Sequence, residues 1–135
     1  MRLAALSLVA LLTGCSHAIY IQPRDGGDSG NGTASGSGQS GKISIIVGSR
    51  IYSGRWVTAH TGSSFGLMQA YGTNSKGGSA VATGFSQNYS SGSSGNALMR
   101  SEDGSTLRCE FVYGGSAGYG VCQNNEGKLY DMQIN

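Results

Sequence analysis

Helical periodicity is missing from this sequence. Between Ile43 and Asn135 no 11-residue window sets apolar side chains at a 3.6-residue period, so an α or α/β fold would have nothing from which to build its helices. No apolar run reaches the roughly 20 residues of a transmembrane helix; Leu3–Leu12 is the longest. Histidine is scarce, with only His17 and His60, so a zinc site lacks ligands and a Ser-His-Asp or Cys-His set cannot be assembled. His60 has no orienting carboxylate within ten residues, and Glu102-Asp103, adjacent in the chain, are turn chemistry rather than a catalytic pair. No C-x-x-C occurs, which removes the common dithiol redox motif. The charges are few and scattered, without a basic stripe, so nucleic acid has no electrostatic footprint. No cofactor is expected.

What is present begins at the N-terminus. Met1–Gly14 reads as one Arg, an apolar run and then small residues, which is a secretory signal. Leu12-Thr13-Gly14-Cys15 follows at the place of cleavage and resembles the lipobox of bacterial lipoproteins. That resemblance implies a thioether-linked diacylglycerol on Cys15, cleavage before it and acylation of the new N-terminus. Several acyl chains anchor stably where one is marginal. Ser16 stands where Asp would imply inner-membrane retention, so the resemblance implies the outer membrane, facing the periplasm or the cell surface. Loss of Arg2 leaves eight Lys/Arg against seven Asp/Glu, a net of +1.

Gln22–Lys42 is dominated by Gly and Ser and has no apolar residue larger than Ala. Such a segment cannot bury enough surface to offset its ordering entropy. It is expected to be a flexible tether, about 25 Å in r.m.s. reach. The expected organisation is therefore a signal peptide at 1–14, a lipidated N-terminus and tether at 15–42, and a β domain at 43–135. Gly36–Gly41 fits G-x-G-x-x-G, and Gly36–Lys42 fits most of a P-loop. Ile43 stands where the P-loop needs Ser or Thr, and the strand-then-helix context is missing, so nucleotide binding is not implied.

From Ile43 onward short runs alternate in polarity, as at Leu107, Cys109, Phe111 and at Tyr130, Met132, Ile134, with Gly, Ser and Asn clusters between them. This is the pattern of an antiparallel all-β domain. Gly95–Phe111 and Gly118–Ile134 superimpose at an offset of 23 residues. Gly95 and Gly104 fall on Gly118 and Gly127; Leu98 falls on Val121, Leu107 on Tyr130, Cys109 on Met132, and Phe111 on Ile134. A fainter echo lies at Gly78-x-x-Val81-x-x-x-Phe85. Tyr52-Ser53-Gly54-Arg55-Trp56 and the glycine spacing of Gly118–Tyr130 resemble the MORN repeat, loosely over Ile51–Ile134 and well over Gly95–Ile134. The resemblance implies an open antiparallel β-meander of successive hairpins that binds proteins or membranes; a small β-sandwich or barrel is the alternative.

Cys109 and Cys122 can be placed on one hairpin. A two-residue loop at Gly115-Ser116 pairs residues whose numbers sum to 231, and the two cysteines satisfy that sum. Counting outward from a hydrogen-bonded Gly114–Ala117 pair puts them in the closer, non-hydrogen-bonded class, within reach of a disulfide; a four-residue loop with the same centre keeps them facing and reverses that class. Export supplies the oxidising compartment. Gly114–Gly118 also spells G-x-S-x-G, but neither a helix nor a histidine follows Ser116, so the motif reads as the hairpin tip and not a nucleophile elbow. Trp56, Tyr113 and Tyr119 are the candidate recognition aromatics, because tyrosines at hairpin tips suit binding surfaces. The expected function is that of an outer-membrane-anchored, non-catalytic binding or envelope-structural module with a protein or glycan partner. An inhibitor or immunity-type lipoprotein acting on a periplasmic enzyme is the alternative, with a cell-wall hydrolase behind it.

Overall fold

The computed structural model describes residues 15–59, 93–114 and 116–135. The leader at 1–14, His60, the Gly78–Phe85 echo and the aromatics between 60 and 92 lie outside the described residues. Eight antiparallel strands follow one another: β1 (Ser16–Pro23), β2 (Gly30–Ser37), β3 (Ser40–Val47), β4 (Arg50–Ala59), β5 (Ser93–Arg100), β6 (Thr106–Gly114), β7 (Ala117–Asn124) and β8 (Leu129–Ile134). Each pairs with its sequence neighbour, and β1 pairs with β8, so the meander closes into a barrel. The sheet is an all-β meander of hairpins as expected, but it is closed and not open as the MORN resemblance implied, because β1 pairs with β8; the barrel given as the alternative is the fold. Closure removes the edge strands that an open sheet would expose.

The register fixes the size of the barrel. From Ile21, one route runs through Gly30 and Val47 to Arg50. The other runs through Met132, Gly120, Phe111 and Gly95 to Thr58. Both routes end on β4, eight residues apart (58 − 50), which gives a shear of eight for eight strands. A barrel of this size has an interior just wide enough for side chains to fill. They do fill it: Ile19, Ile21, Ile43, Ile45, Tyr52, Met99, Leu107, Cys109, Phe111, Cys122, Tyr130, Met132 and Ile134 form one buried cluster. Full burial of a residue such as Ile21, Ile45 or Leu107 contributes roughly 1.5–3 kcal/mol. The outward positions are mostly polar or charged and lie in solvent, as at Thr33, Lys42, Ser53, Arg55, Arg108 and Gln133. Six large apolar or aromatic side chains are exposed on the same outer surface: Tyr20, Ile46, Ile51, Val57, Leu98 and Tyr119.

The tether expected at Gln22–Lys42 is not a tether. Gln22 and Pro23 end β1, Gly30–Ser37 is β2, and Ser40–Lys42 opens β3. The composition argument required the segment to bury its own side chains. In the barrel its neighbours supply them. A Cβ at Gly30 would lie 2.8 Å from both Ile21 Cγ1 and Val47 Cγ2, so the side chains of β1 and β3 fill the space in front of β2. The ordered β domain therefore begins at Ser16 and not at Ile43, and Cys15 is followed at once by a strand.

The 23-residue offset is a repeat of hairpins. Gly104 and Gly127 hold the two turns at φ values of 85° and 82°, a conformation that glycine adopts without penalty. The equivalent pairs Leu107/Tyr130, Cys109/Met132 and Phe111/Ile134 are all buried in the barrel. The outward pair Leu98/Val121 differs: Leu98 is 61% exposed and Val121 is fully buried.

Candidate functional site

Alternation of strand direction sorts the connections between two ends. One end carries Cys15 and Ser16, the β2–β3 and β6–β7 tips, the ends of β4 and β5 that 60–92 joins, and Asn135. The other end carries the loops after β1, β3, β5 and β7.

At the first end, three side chains stand over the core. Tyr113, near the end of β6, points inward and shares its hydroxyl with the ring of His17 on β1, 3.2 Å from Nε2 and 3.3 Å from Nδ1. The rings meet edge to face, with centroids 5.2 Å apart. Trp56 on β4 packs against the same core, and its Nε1–H donates to the Ser35 carbonyl at 3.1 Å. Tyr52, Gly54 and Trp56 lie on one face of β4, because alternate residues of a strand point the same way. The glycine is required there: a Cβ at Gly54 would lie 1.8 Å from the Leu98 carbonyl oxygen of β5.

Of the three candidate aromatics, the fold brings Trp56 and Tyr113 to the same mouth. Tyr119 stands apart, 40% exposed on the outer surface of β7. There it lines a groove of about 480 Å³ with Ala18, Tyr20, Ala117 and Gln133. Tyr20 and Tyr119 flank Gln133 on either side in one cross-strand row. His17, assigned to the tether by composition, is part of the mouth. The alternation of Ile19 and Ile21 two and four residues beyond it was the available signal.

Cys109 and Cys122 form a disulfide in the predicted register. Their Cα atoms are 4.0 Å apart, the close spacing of a non-hydrogen-bonded pair. Both sulfurs face the core, where Met132 Sδ lies 3.8 Å from Cys122 Sγ. Ser116 of the G-x-S-x-G is an exposed turn residue between β6 and β7. Cys15 is a free, exposed cysteine.

The opposite end is charged. Arg50 reaches Asp103 at 2.9 Å, and Arg24 reaches Asp131 at 2.8 Å. Asp103 also accepts hydrogen bonds from the Ser101 hydroxyl and, at 2.9 Å, from the Ser105 N–H. These hydrogen bonds, with Arg50 beside them, hold the Asp103 carboxyl well below the usual carboxylate range. Burial pushes the Tyr130 hydroxyl up, with Tyr52 adding to the shift. Glu110 is fully buried on the outer face of β6 and accepts from Arg108 at 3.0 Å. Among the described residues no cluster of three His, Cys, Asp or Glu side chains could hold a metal ion. The arrangement provides hydrogen-bonding and aromatic surface at the two ends and along the Tyr20–Tyr119 groove.

No protein-family model matches the chain, and no curated protein does. Among solved structures it is similar to a de novo designed fluorescence-activating β barrel, at 12% identity and a TM-score of 0.52, over 90% of this chain and 91% of that one. At that identity the likeness speaks for the barrel fold alone.

Proposed function

We propose that this chain is an outer-membrane lipoprotein anchored through Cys15, and that its barrel is a rigid, non-catalytic module that binds or braces an envelope protein or glycan. The disposition of the three cysteines carries the reading. Two are sealed in the core as a disulfide, a bond at home in an exported protein, and the third is left exposed at the residue before the first strand. The apolar run that ends at Cys15 supports export, and the filled interior leaves the rims and the outer surface as recognition surface.

Two experiments test this. Cys15→Ala should accumulate as unprocessed precursor, and normal maturation of that variant would refute lipidation. The full-length protein, solubilised in detergent from the envelope and used as bait, should retain one specific partner. Loss of that partner on substitution of Tyr119 or Tyr20 would assign the groove to binding; recovery of no partner would count against a binding module.

A further inference from the structure

We infer that the barrel is held end-on against an anionic phospholipid surface, with the end that carries Ser16 facing the lipid and the charged loops facing away. The inference rests on the anchoring of Cys15 proposed above, and adds an orientation to it. Two observations carry it.

The first is the length of the connection. β1 begins at Ser16, so a single Cα–Cα step of about 3.8 Å separates an anchor at Cys15 from a strand hydrogen-bonded on both sides. A flexible tether would let the head tumble; one peptide unit does not. Whichever end holds Ser16 must lie at the bilayer. Gly38 and Gln39 of the β2–β3 turn and Ser116 of the β6–β7 turn, at the same end, are uncharged.

The second is the distribution of charge. The chain has seven Asp and Glu side chains. Asp25, Asp28, Glu102, Asp103 and Glu126 lie in the loops of the far end, and Asp131 is bound to Arg24 there. The seventh, Glu110, is buried and paired with Arg108. No exposed side-chain carboxylate remains on the Ser16 half among the described residues, whereas Lys42 and Arg55 lie side by side, exposed, on adjacent strands. At the far end Arg24, Arg50, Arg100 and Lys128 offset four of the six carboxylates and leave a net of −2 (4 − 6), so an anionic surface favours the Ser16 end over the other, within a Debye length of about 10 Å. Strands of eight residues tilted by about 40° span roughly 20 Å along the barrel axis, so the acidic loops stand beyond that range.

The test uses the full-length, lipid-modified protein in vesicles of phosphatidylcholine and phosphatidylglycerol. A fluorophore is attached at Ser116→Cys or at Glu126→Cys; the buried disulfide and an alkylated Cys15 do not compete for it. A nitroxide on the lipid headgroup should quench the label at 116 at least threefold more than the label at 126, and aqueous iodide should show the opposite order. The difference should shrink in pure phosphatidylcholine and with Lys42→Glu/Arg55→Glu. Equal quenching at the two positions, with acyl chains found on Cys15 by mass spectrometry, would overturn the orientation and leave the anchor standing. An unmodified Cys15 would overturn both. A quenching ratio indifferent to phosphatidylglycerol would remove the anionic surface as the partner.

Discussion

Reduction of the Cys109–Cys122 disulfide should destabilise the barrel by about 3 kcal/mol. The bond closes a loop with a sequence separation of 13. In the chain-entropy description, closure of a loop of about 14 residues removes roughly 10 cal/mol/K from the unfolded ensemble, or about 3 kcal/mol at 25 °C. For a domain of this size that corresponds to a fall in Tm of roughly 10–20 °C. Both sulfurs are fully buried, so the route of removal matters. Refolding in reductant keeps both sulfurs in the core and isolates the loop effect. Cys109→Ala/Cys122→Ala also empties on the order of 40 Å³, and at about 24 cal/mol per Å³ this adds roughly 1 kcal/mol. Urea unfolding of the oxidised, reduced and double-alanine proteins should therefore rank them in that order. The m-value should rise once the cross-link is gone, because the unfolded chain exposes more surface. If the reduced protein unfolds at the oxidised midpoint, within about 0.5 kcal/mol, the loop-entropy account fails and the disulfide only decorates a hairpin whose register is already set.

Other perturbations separate close packing, local hydrogen bonding and charge. Gly54→Ala, whose Cβ would sit 1.8 Å from a β5 carbonyl, should cost more than about 2 kcal/mol in chemical denaturation. Gly104→Ala, at φ 85° but with open space around it, should cost only about 1 kcal/mol of backbone strain; equal costs would contradict the packing argument. Tyr113→Phe keeps the ring but loses the hydrogen bond to His17, and should lower stability by about 1 kcal/mol; an unchanged midpoint would show that the pair contributes nothing. The folded state depresses the Asp103 pKa, so the stabilisation is complete above the unfolded value of about 4 and is lost as pH falls through the folded value. Asp103→Asn should therefore unfold more readily than the parent at neutral pH, and the gap should narrow toward pH 2. A gap independent of pH would place the stabilisation elsewhere.

The second half of the fold was legible because its signals are local. A two-residue loop sets the β6–β7 register by counting, and Cys109 meets Cys122 as that count requires. The 23-residue offset was legible for the same reason: each hairpin needs its turn glycine and its inward positions, and those positions recur. Ring closure was not legible. It depends on β1 pairing with β8, as in Ile19 with Ile134, and no local pattern reports a partner at that distance. The mouth was hidden by the same omission. Once β1 was counted as tether, His17 had no strand to place it opposite Tyr113, and the site reduced to isolated aromatics.

Composition misled at Gln22–Lys42 for a physical reason that extends to the whole barrel. A closed sheet of eight strands and shear eight brings neighbouring backbones close at its bends, and there an inward side chain has no room. A Cβ at Gly32 or Gly41 would lie 1.9 Å from a carbonyl oxygen of the adjacent strand, and one at Gly120 would lie 2.3 Å from the Glu110 carbonyl oxygen. Glycine at such positions is a requirement of curvature, as deliberate glycine kinks are in designed barrels. Gly-rich sequence therefore has two opposite meanings. In a chain with no apolar neighbours it implies disorder; between strands such as β1 and β3, whose Ile19, Ile21, Ile43 and Ile45 fill the interior, it implies a tight bend. The distinguishing feature lies outside the glycine segment, in alternating isoleucines on both sides of it. The start of the domain moves for the same reason: β1 opens at Ser16, so Cys15 stands one peptide unit from the barrel rather than a tether's length away.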